Sequence, residues 1–282
     1  MKNEIEKSQG RSIPVKASAL ERLFVRKAKC TNLHPNPDDE FCFPDVGPSY
    51  KIISDYEKEI RSNLKYHDFP FEEPVIVEKT RPDGYMLLNG HHRWAAAMRV
   101  GVEKIPVRIV NLALESDIER MLENSVHDRR VTMDLDEVVF RGPEDKAVEP
   151  APLFADKRKR IRLGVPALFR FLTKKGYDIW VYSANCYSIE DVVRIFRKYS
   201  VNVDGIVTGT AKNRRPATNA SRRMDQLIAS KYSTTIHIDN DAVLFTYRGK
   251  EQFDEYNLSG RADSWSREII TIMGDRESDE KG

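Results

Sequence analysis

The sequence has no long apolar run and few cysteines. No stretch approaches the ~18 consecutive apolar residues that a membrane span needs, and the first ten residues are polar, so neither a membrane span nor a signal peptide is predicted. The chain has three cysteines and no C-x-x-C pair. A disulfide scaffold is therefore not expected, and the composition favours a reducing, cytoplasmic compartment without membrane contact.

The sequence also has almost no excess of charge of one sign. It carries 46 basic and 44 acidic residues, for a formal net charge of +2, which argues against binding duplex DNA mainly through bulk charge. Local basic clusters are present all the same. The first comprises Lys157, Arg158, Lys159, Arg160 and Arg162; the second comprises Lys212, Arg214, Arg215, Arg222 and Arg223. We expect these clusters to favour phosphate-bearing ligands.

A chain of 282 residues with 40% hydrophobic residues has room for about two domains of ~100–200 residues each. The character of the sequence changes near 125–130, which predicts one domain over 1–127, with its core at 30–112, and another over 128–282. In the first domain the patterns predict a small α+β unit. Its helices are predicted at 50–64, 91–100 and 115–125, and its strands at 74–78, 85–88 and 105–110.

Short apolar strands alternate with helices in the second half. Strands are predicted at 131–136, 177–183, 203–209 and 234–239, and helices at 165–175, 188–199 and 219–231. Apolar strands joined by crossover helices are typical of a doubly wound parallel sheet with helices on both faces. Ligands of such sheets bind at the carboxyl ends of the strands.

Acidic and hydroxyl side chains occur where three of these strands end. Asp134 and Asp136 are two residues apart, so on an extended strand their carboxylates share one face. Ser183 ends the second strand, and Asp239 and Asp241 follow the fourth. Carboxylates gathered at one sheet edge repel each other unless a cation lies between them, and hard oxygen ligands suit Mg²⁺. A magnesium site is therefore predicted at this edge of the sheet.

The order of these pieces strongly resembles the haloacid dehalogenase-like (HAD) hydrolase superfamily over residues ~130–245. The matching pieces are Asp134-Leu135-Asp136-Glu137-Val138, Tyr182-Ser183, Lys212 with its neighbouring arginines, and Asp239-Asn240-Asp241. Most members of the superfamily are phosphatases. The resemblance implies a Rossmannoid domain, and the shortness of 141–162 leaves no room for a large cap over the site.

The resemblance also implies a role for each matching residue. Asp134 would attack phosphorus to form an aspartyl-phosphate, and Asp136 would act as general acid and then base. Ser183 and Lys212 would hold phosphoryl oxygens. Asp239, with Asp134 and the backbone carbonyl of Asp136, would bind Mg²⁺, and Asp241 is the alternative metal ligand or a partner of the ligands. Glu137 stands where common subfamilies have glycine, and Lys231 competes with Lys212 as the motif lysine.

A glycine–histidine turn lies between a predicted strand and helix of the first half. Gly90, His91, His92 and Arg93 stand at the helix start, where unpaired N–H groups attract anions. Together with residues 32–37, 73–77, 83–94 and 105–107, this turn resembles the ParB/sulfiredoxin-like fold, whose members bind CTP, ATP or ADP. The resemblance implies a nucleotide site at the turn, with Glu73 as its acidic residue. Phosphatase-like sequence follows where partition proteins carry a DNA-binding motif, so chromosome partitioning is not expected.

The favoured hypothesis is an Mg²⁺-dependent phosphohydrolase coupled to a ParB-like nucleotide-binding domain. Its substrate is expected to be nucleotide-like or polyanionic: a phosphorylated small molecule or a nucleic-acid end. Two alternatives stay open. The first domain can be an ATP- or ADP-dependent kinase with an accessory HAD domain, or the chain can be a non-catalytic, nucleotide-gated regulatory module on DNA.

Overall fold

The computed structural model describes residues 13–67, 69–142, 144–152, 159–210 and 219–279. Within these ranges no helix is long and apolar enough to cross a membrane. The chain divides into two compact units between Leu112 and Ala113. This division precedes the predicted boundary at 127/128, because a helix over Glu115–Asn124 packs with the second unit through Ile118.

The first unit is an α+β fold, and its predicted helices and strands are confirmed to within a few residues. Its strands are β1 (Ile13–Pro14), β2 (Lys27–Lys29), β3 (Leu33–His34), β4 (Val75–Arg81), β5 (Tyr85–Asn89) and β6 (Lys104–Val110). Its helices are α1 (Ala19–Phe24), α2 (Tyr50–Tyr66) and α3 (His91–Val100). The sheet order is β2-β6-β4-β5-β3, with β1 paired to β4. The segment between β2 and α2 contains two short 3₁₀ turns, Cys30–Asn32 and Glu40–Cys42.

Trp94 anchors the core of the first unit. It is buried on α3 and is followed by three fully buried alanines, so the helix can lie close to its neighbours on more than one side. The indole N–H donates to the carbonyl of Cys30 at 2.9 Å, which satisfies the one polar group of this buried ring. The segment after β2 is therefore fixed against α3.

The second unit is a three-layer α/β fold around a six-stranded sheet. Its helices are α4 (Glu115–Asn124), α5 (Val165–Lys174), α6 (Ile189–Lys198), α7 (Asn219–Lys231) and α8 (Trp265–Asp279). Its sheet strands are β7 (Arg129–Asp134), β10 (Asp178–Ser183), β11 (Gly205–Thr208), β12 (Thr234–Ile238), β13 (Ala242–Tyr247) and β14 (Phe253–Asn257). A separate two-stranded hairpin comprises β8 (Phe140–Arg141) and β9 (Arg160–Ile161).

The sheet order is β11-β10-β7-β12-β13-β14. The first four strands are parallel, as predicted, whereas β13 and β14 form an antiparallel edge that the sequence did not predict. Successive side chains of β10 point to opposite faces of the sheet, and both faces are covered by helices. Ile179 and Val181 join the large core on one face, and Trp180 packs with Tyr232 on the other.

The first strand ends two residues earlier than predicted. The pattern favoured a strand through 136, but β7 ends at Asp134 and a π-helical turn over Leu135–Val139 follows. Asp134 and Asp136 therefore do not share one face of a strand, because Asp136 lies in the turn. The chain then enters the β8–β9 hairpin directly after the turn.

Gly205 on β11 tests the packing of the sheet, because a Cβ there would lie 2.0 Å from Cδ2 of Trp180. We expect Gly205→Ala to lower the free energy of unfolding by about 1–3 kcal/mol through overpacking. Gly274→Ala in α8 is the control, since nothing lies within 4 Å of a Cβ there, and it should raise this free energy by about 0.5–1 kcal/mol. Urea unfolding measures the free energy of unfolding of both variants. Equal changes in the two variants would contradict the close contact between Gly205 and Trp180.

Candidate functional site

The carboxylate site of the second unit begins with Asp134 at the end of β7. Its Oδ1 accepts the backbone N–H groups of Asp136 at 2.7 Å and Glu137 at 2.8 Å. Its Oδ2 has no hydrogen-bond partner among the residues that the structure describes. One oxygen is therefore fixed by the turn while the other is left to meet a ligand, which is the arrangement that a positioned nucleophile needs.

Asp136 lies beside the end of β10. Its Oδ2 accepts the Ser183 hydroxyl at 2.5 Å, and its Oδ1 accepts a short hydrogen bond from the Tyr187 hydroxyl. Burial raises the pKa of Asp136, but the hydrogen bonds from Ser183 and Tyr187 and the nearby Lys159 outweigh burial and hold this pKa below its ordinary value. Without a ligand the carboxyl is ionised, so acting as a general acid requires it to gain a proton in the complex.

Lys159 supplies a cation that the sequence analysis had placed only in a basic cluster. Its Nζ lies 3.6 Å from Oδ1 of Asp136 and 3.6 Å from the centre of the Tyr187 ring. The predicted motif lysine, Lys212, lies outside the described residues. Lys231 is the wrong alternative: its Nζ donates to the carbonyl of Ser125 at 3.1 Å, near the amino-terminal ends of β7 and β12.

Asp239 follows β12 next to the end of β7. The register pairs Thr132 with His237 on these parallel strands, so Asp134 and Asp239 each lie two residues beyond this pair. Asp239 Oδ1 accepts the N–H of Asn240 at 2.6 Å. Asp241 is exposed, and its backbone carbonyl accepts the N–H of Leu258.

The acidic side chains predicted to bind magnesium are not gathered into one cluster. Within the described part of the chain, no three His, Cys, Asp or Glu side chains form a metal-binding group. The physical reason is that Ser183, Tyr187 and Lys159 engage the carboxylate of Asp136. Asp134 and Asp239 remain as a pair on adjacent strand ends. Such a pair fits Mg²⁺, which keeps several waters and commonly takes one or two carboxylates with substrate phosphate.

The turn of the first unit depends on Gly90. Its φ of 95° lies in the left-handed region, and a Cβ there would lie 2.7 Å from Cγ1 of Val75. Glycine therefore meets both the conformational and the steric demand at this position. The turn ends β5 and starts α3, so the backbone N–H groups of the first helical turn have no acceptor within the helix.

The two histidines of the turn hold a neighbouring loop. Nε2 of His91 accepts the N–H of Asn36 at 3.1 Å, and Nε2 of His92 accepts the N–H of Ser49 at 3.1 Å. Burial lowers the pKa of His92, which keeps the ring neutral and able to accept. Both residues were predicted to bind the cofactor, yet these ring nitrogens serve the protein's own backbone.

Arg93 is buried and paired with Glu73. Its Nη1 donates to Glu73 Oε2 at 2.8 Å and to the Glu73 carbonyl at 2.6 Å. Two clefts of about 450 and 410 Å³ adjoin this ion pair, and Tyr56, Glu73 and Arg93 line both. The smaller cleft also includes Gly90. A phosphate group bound here would compete with Glu73 for the guanidinium.

The residues around this turn match the model of a known family. The family model of the ParB N-terminal domain matches residues 58–126, a range that includes Glu73 and the Gly90–Arg93 turn. These residues form a ParB N-terminal domain. The match confirms the ParB part of the predicted resemblance. It extends through α4, beyond the contact division at Leu112.

Two solved structures of the chromosome-partitioning protein ParB from Caulobacter crescentus, both C-terminally truncated, are similar to the chain. The one complexed with CTP-gamma-S is 26% identical with a TM-score of 0.25, covering 35% of this chain and 51% of that one. The one complexed to the centromeric parS site is 24% identical with a TM-score of 0.24, covering 35% and 46%. The chain thus spans about half of these structures. None of the curated proteins matches it.

The sequence made duplex DNA binding an unlikely function, and the comparisons do not support that expectation. The family model ends at residue 126, and it gives no support to a HAD domain in the residues that follow. The ParB N-terminal domain therefore accounts for Gly90, Arg93 and Glu73, and the carboxylate site has to be judged on its own geometry.

The hydrogen bonds to Asp136 predict how its pKa responds to the loss of a donor. Tyr187→Phe removes one donor to the carboxylate, so we expect the pKa of Asp136 to rise toward its ordinary value. Because the carboxyl pKa is lowered by folding, its contribution to stability is present above the unfolded pKa and is lost as the pH falls through the folded pKa. The variant should therefore lose less stability on acidification.

Carboxyl ¹³C NMR titration measures this pKa. Tyr66→Phe, which changes an exposed tyrosine of α2, is the control and should leave the Asp136 titration unchanged. If Tyr187→Phe and the control titrate alike, the assigned hydrogen bond does not set the pKa.

Proposed function

We propose that the second unit is a HAD-like phosphohydrolase that cleaves phosphomonoesters through an aspartyl-phosphate. The observation that carries the proposal is the state of Asp134, whose Oδ1 is fixed by two backbone N–H groups while its Oδ2 has no partner among the described residues. It stands at the carboxyl end of a central parallel strand, the edge at which ligands of such sheets bind.

The chemistry divides into two displacements at phosphorus. Oδ2 of Asp134 attacks the phosphoryl group, the bond to the ester oxygen breaks, and Asp136 gives that oxygen a proton. Water then attacks the aspartyl-phosphate, Asp136 takes its proton, and inorganic phosphate leaves. Because an adjacent anionic phosphate raises the pKa of a carboxyl, substrate binding itself favours the protonation that Asp136 needs for the first step.

The remaining residues stabilise charge. Ser183 and Lys159 lie next to Asp136, where a hydroxyl and an ammonium group can bind phosphoryl oxygens as charge develops. Asp134 and Asp239 would hold Mg²⁺, and the ion, when bound, neutralises charge on the phosphoryl oxygens. Lys159 would thus bind the phosphoryl oxygens, the role that the resemblance implied for Lys212.

We propose further that the ParB N-terminal domain binds a nucleotide, with ATP, ADP and CTP as the candidates, at the Gly90–Arg93 turn. The left-handed Gly90 lets a ligand approach the backbone closely, and the start of α3 attracts phosphate. Arg93 lines both adjoining clefts, so its guanidinium can turn from Glu73 to a phosphate. The exposed carboxylate of Glu73 favours a second candidate, a kinase reaction at this turn.

Replacing the proposed nucleophile tests the hydrolase. We expect the wild-type chain with Mg²⁺ to release phosphate from para-nitrophenyl phosphate, and Asp134→Asn to lower kcat by about a thousand-fold or more. The asparagine keeps an oxygen to accept the two N–H groups, so the fold should persist. Asp191→Asn, on the surface of α6, is the control for a lost carboxylate.

A wild-type chain that releases no phosphate from a panel of phosphomonoesters, or an Asp134→Asn variant with full activity, would rule out the hydrolase. ATP-dependent phosphoryl transfer that survives Asp134→Asn but is lost on replacing Glu73 would favour the kinase.

Nucleotide binding is tested at Arg93. We expect CTP, ATP or ADP to raise the melting temperature of the wild-type chain through ligand linkage. Arg93→Lys keeps the charge but loses the planar fork, so the affinity should fall by roughly ten-fold. Arg99→Lys on the same helix, which pairs with Glu57, is the matched control. Calorimetric titration of all three proteins measures the affinities, and equal affinities would place the nucleotide elsewhere.

A further inference from the structure

Two arginines next to the carboxylate site share a single neutral acceptor. Arg141 Nη2 donates to Oδ1 of Asn240 at 2.9 Å, and Arg162 Nη1 donates to the same oxygen at 2.7 Å. Arg141 ends β8 and Arg162 directly follows β9, so the hairpin brings the two guanidinium groups together. An amide oxygen carries no charge, and the pair of positive charges is not compensated by it.

No carboxylate of the described chain forms an ion pair with either arginine. Arg162 is only 3% exposed, it lies 4.0 Å from the centre of the Trp265 ring, and its Nε is buried without a hydrogen-bond partner among the described residues. Burial, together with the neighbouring Arg141, lowers the pKa of Arg162 to about 10. Two adjacent cations that lack a counter-ion are costly to bury, so this pair favours an anion.

The arginine pair is linked to Asp134 through one residue. The Glu137 N–H donates to Oδ1 of Asp134 at 2.8 Å, and the Glu137 carbonyl accepts from Arg141 Nη1 at 2.7 Å and from Asn240 Nδ2 at 3.2 Å. Asn240 itself follows Asp239 in the chain. The uncompensated positive charge is therefore connected to the proposed nucleophile through the backbone of Glu137 alone.

We propose that Arg141 and Arg162 bind a second phosphate group of the substrate, so that the site selects phosphomonoesters that carry another phosphate on the same molecule. This inference rests on the proposed hydrolase function of Asp134. A phosphate suits the pair because its oxygens can accept from two planar guanidinium forks at once. Asn240 holds both forks in place before the ligand arrives, and such preorganisation lowers the cost of binding.

Binding to the inactive Asp134→Asn chain separates this inference from catalysis. The first probe pair is fructose 6-phosphate and fructose 1,6-bisphosphate, because sugar phosphates avoid the nucleotide turn of the ParB N-terminal domain. The second pair is thymidine 3′-monophosphate and thymidine 3′,5′-bisphosphate, which distinguishes a nucleic-acid end from a sugar metabolite. Calorimetry with Mg²⁺ should show about ten-fold tighter binding of the bisphosphate in at least one pair.

The same titrations with Arg141→Gln, in the Asp134→Asn background, test the residue. We expect the affinity ratio of bisphosphate to monophosphate to fall to about one, and Arg141→Lys to retain part of it. Arg170→Gln, which removes an exposed arginine of α5, is the matched control and should keep the full ratio. Circular dichroism of each variant checks that the fold is intact.

The outcomes separate the second-phosphate site from the hydrolase function on which it rests. Phosphate release by the wild-type chain with equal binding of the mono- and bisphosphates in both pairs would overturn the second-phosphate site and leave the hydrolase standing. A preference that persists in Arg141→Gln would show that other residues hold the second phosphate. The absence of both phosphate release and phosphate binding would overturn the hydrolase and this inference together.

Discussion

The geometry of the second unit depends on one carboxylate that serves as a cap. Asp134 ends β7 and accepts two backbone N–H groups of the turn that follows, so a strand becomes a π-helical turn within one residue. That turn sets the direction of the β8–β9 hairpin, and the hairpin in turn places Arg141 and Arg162. A charged acceptor at the start of a turn is worth more than a neutral one because the hydrogen bonds are charge-assisted.

The ParB N-terminal domain likewise depends on one turn, at Gly90. Gly90 allows the chain to pass from β5 into α3 at close contact with Val75, and the next two residues then hold the 36–49 segment through their ring nitrogens. The turn therefore has a structural duty besides any contact with a ligand. Arg93 is kept in place by Glu73 from the adjoining β4 side, so the guanidinium is positioned although it is buried.

Much of the fold follows from local pattern. The helix at 91–100 and the four parallel strands could be predicted because alanine-rich helical spacing, a closing glycine and short apolar runs are properties of contiguous residues. The β13–β14 edge was missed, since Phe253–Asn257 is polar and mostly exposed and resembles a loop. The length of β7 was overestimated because an apolar pattern continues through the turn: Leu135, Val138 and Val139 are buried there as well.

The candidate site was predictable only in part. The positions of Asp134, Ser183 and Asp239 follow from strand ends, whereas the partners of Asp136 do not: Tyr187 lies beyond β10 and Lys159 beside the hairpin. These contacts depend on the pairing of Phe140–Arg141 with Arg160–Ile161. The two segments are about twenty residues apart in the sequence, and no local pattern specifies that they pair. The contacts of His91 and His92 with Asn36 and Ser49 could not be predicted for the same reason.

The β8–β9 hairpin has a consequence for how such a site can change over time. Asp134 and Asp239 stand at the ends of sheet strands, whereas Asp136 and three nearby cations, at positions 141, 159 and 162, come from the connection between β7 and α5. Insertions or replacements in that connection can alter which anions are accepted without moving the strands that carry the reacting group. In the proposed function, the nucleophile and the residues that select the substrate thus lie in different stretches of the sequence, and changes in the connection can alter the substrate.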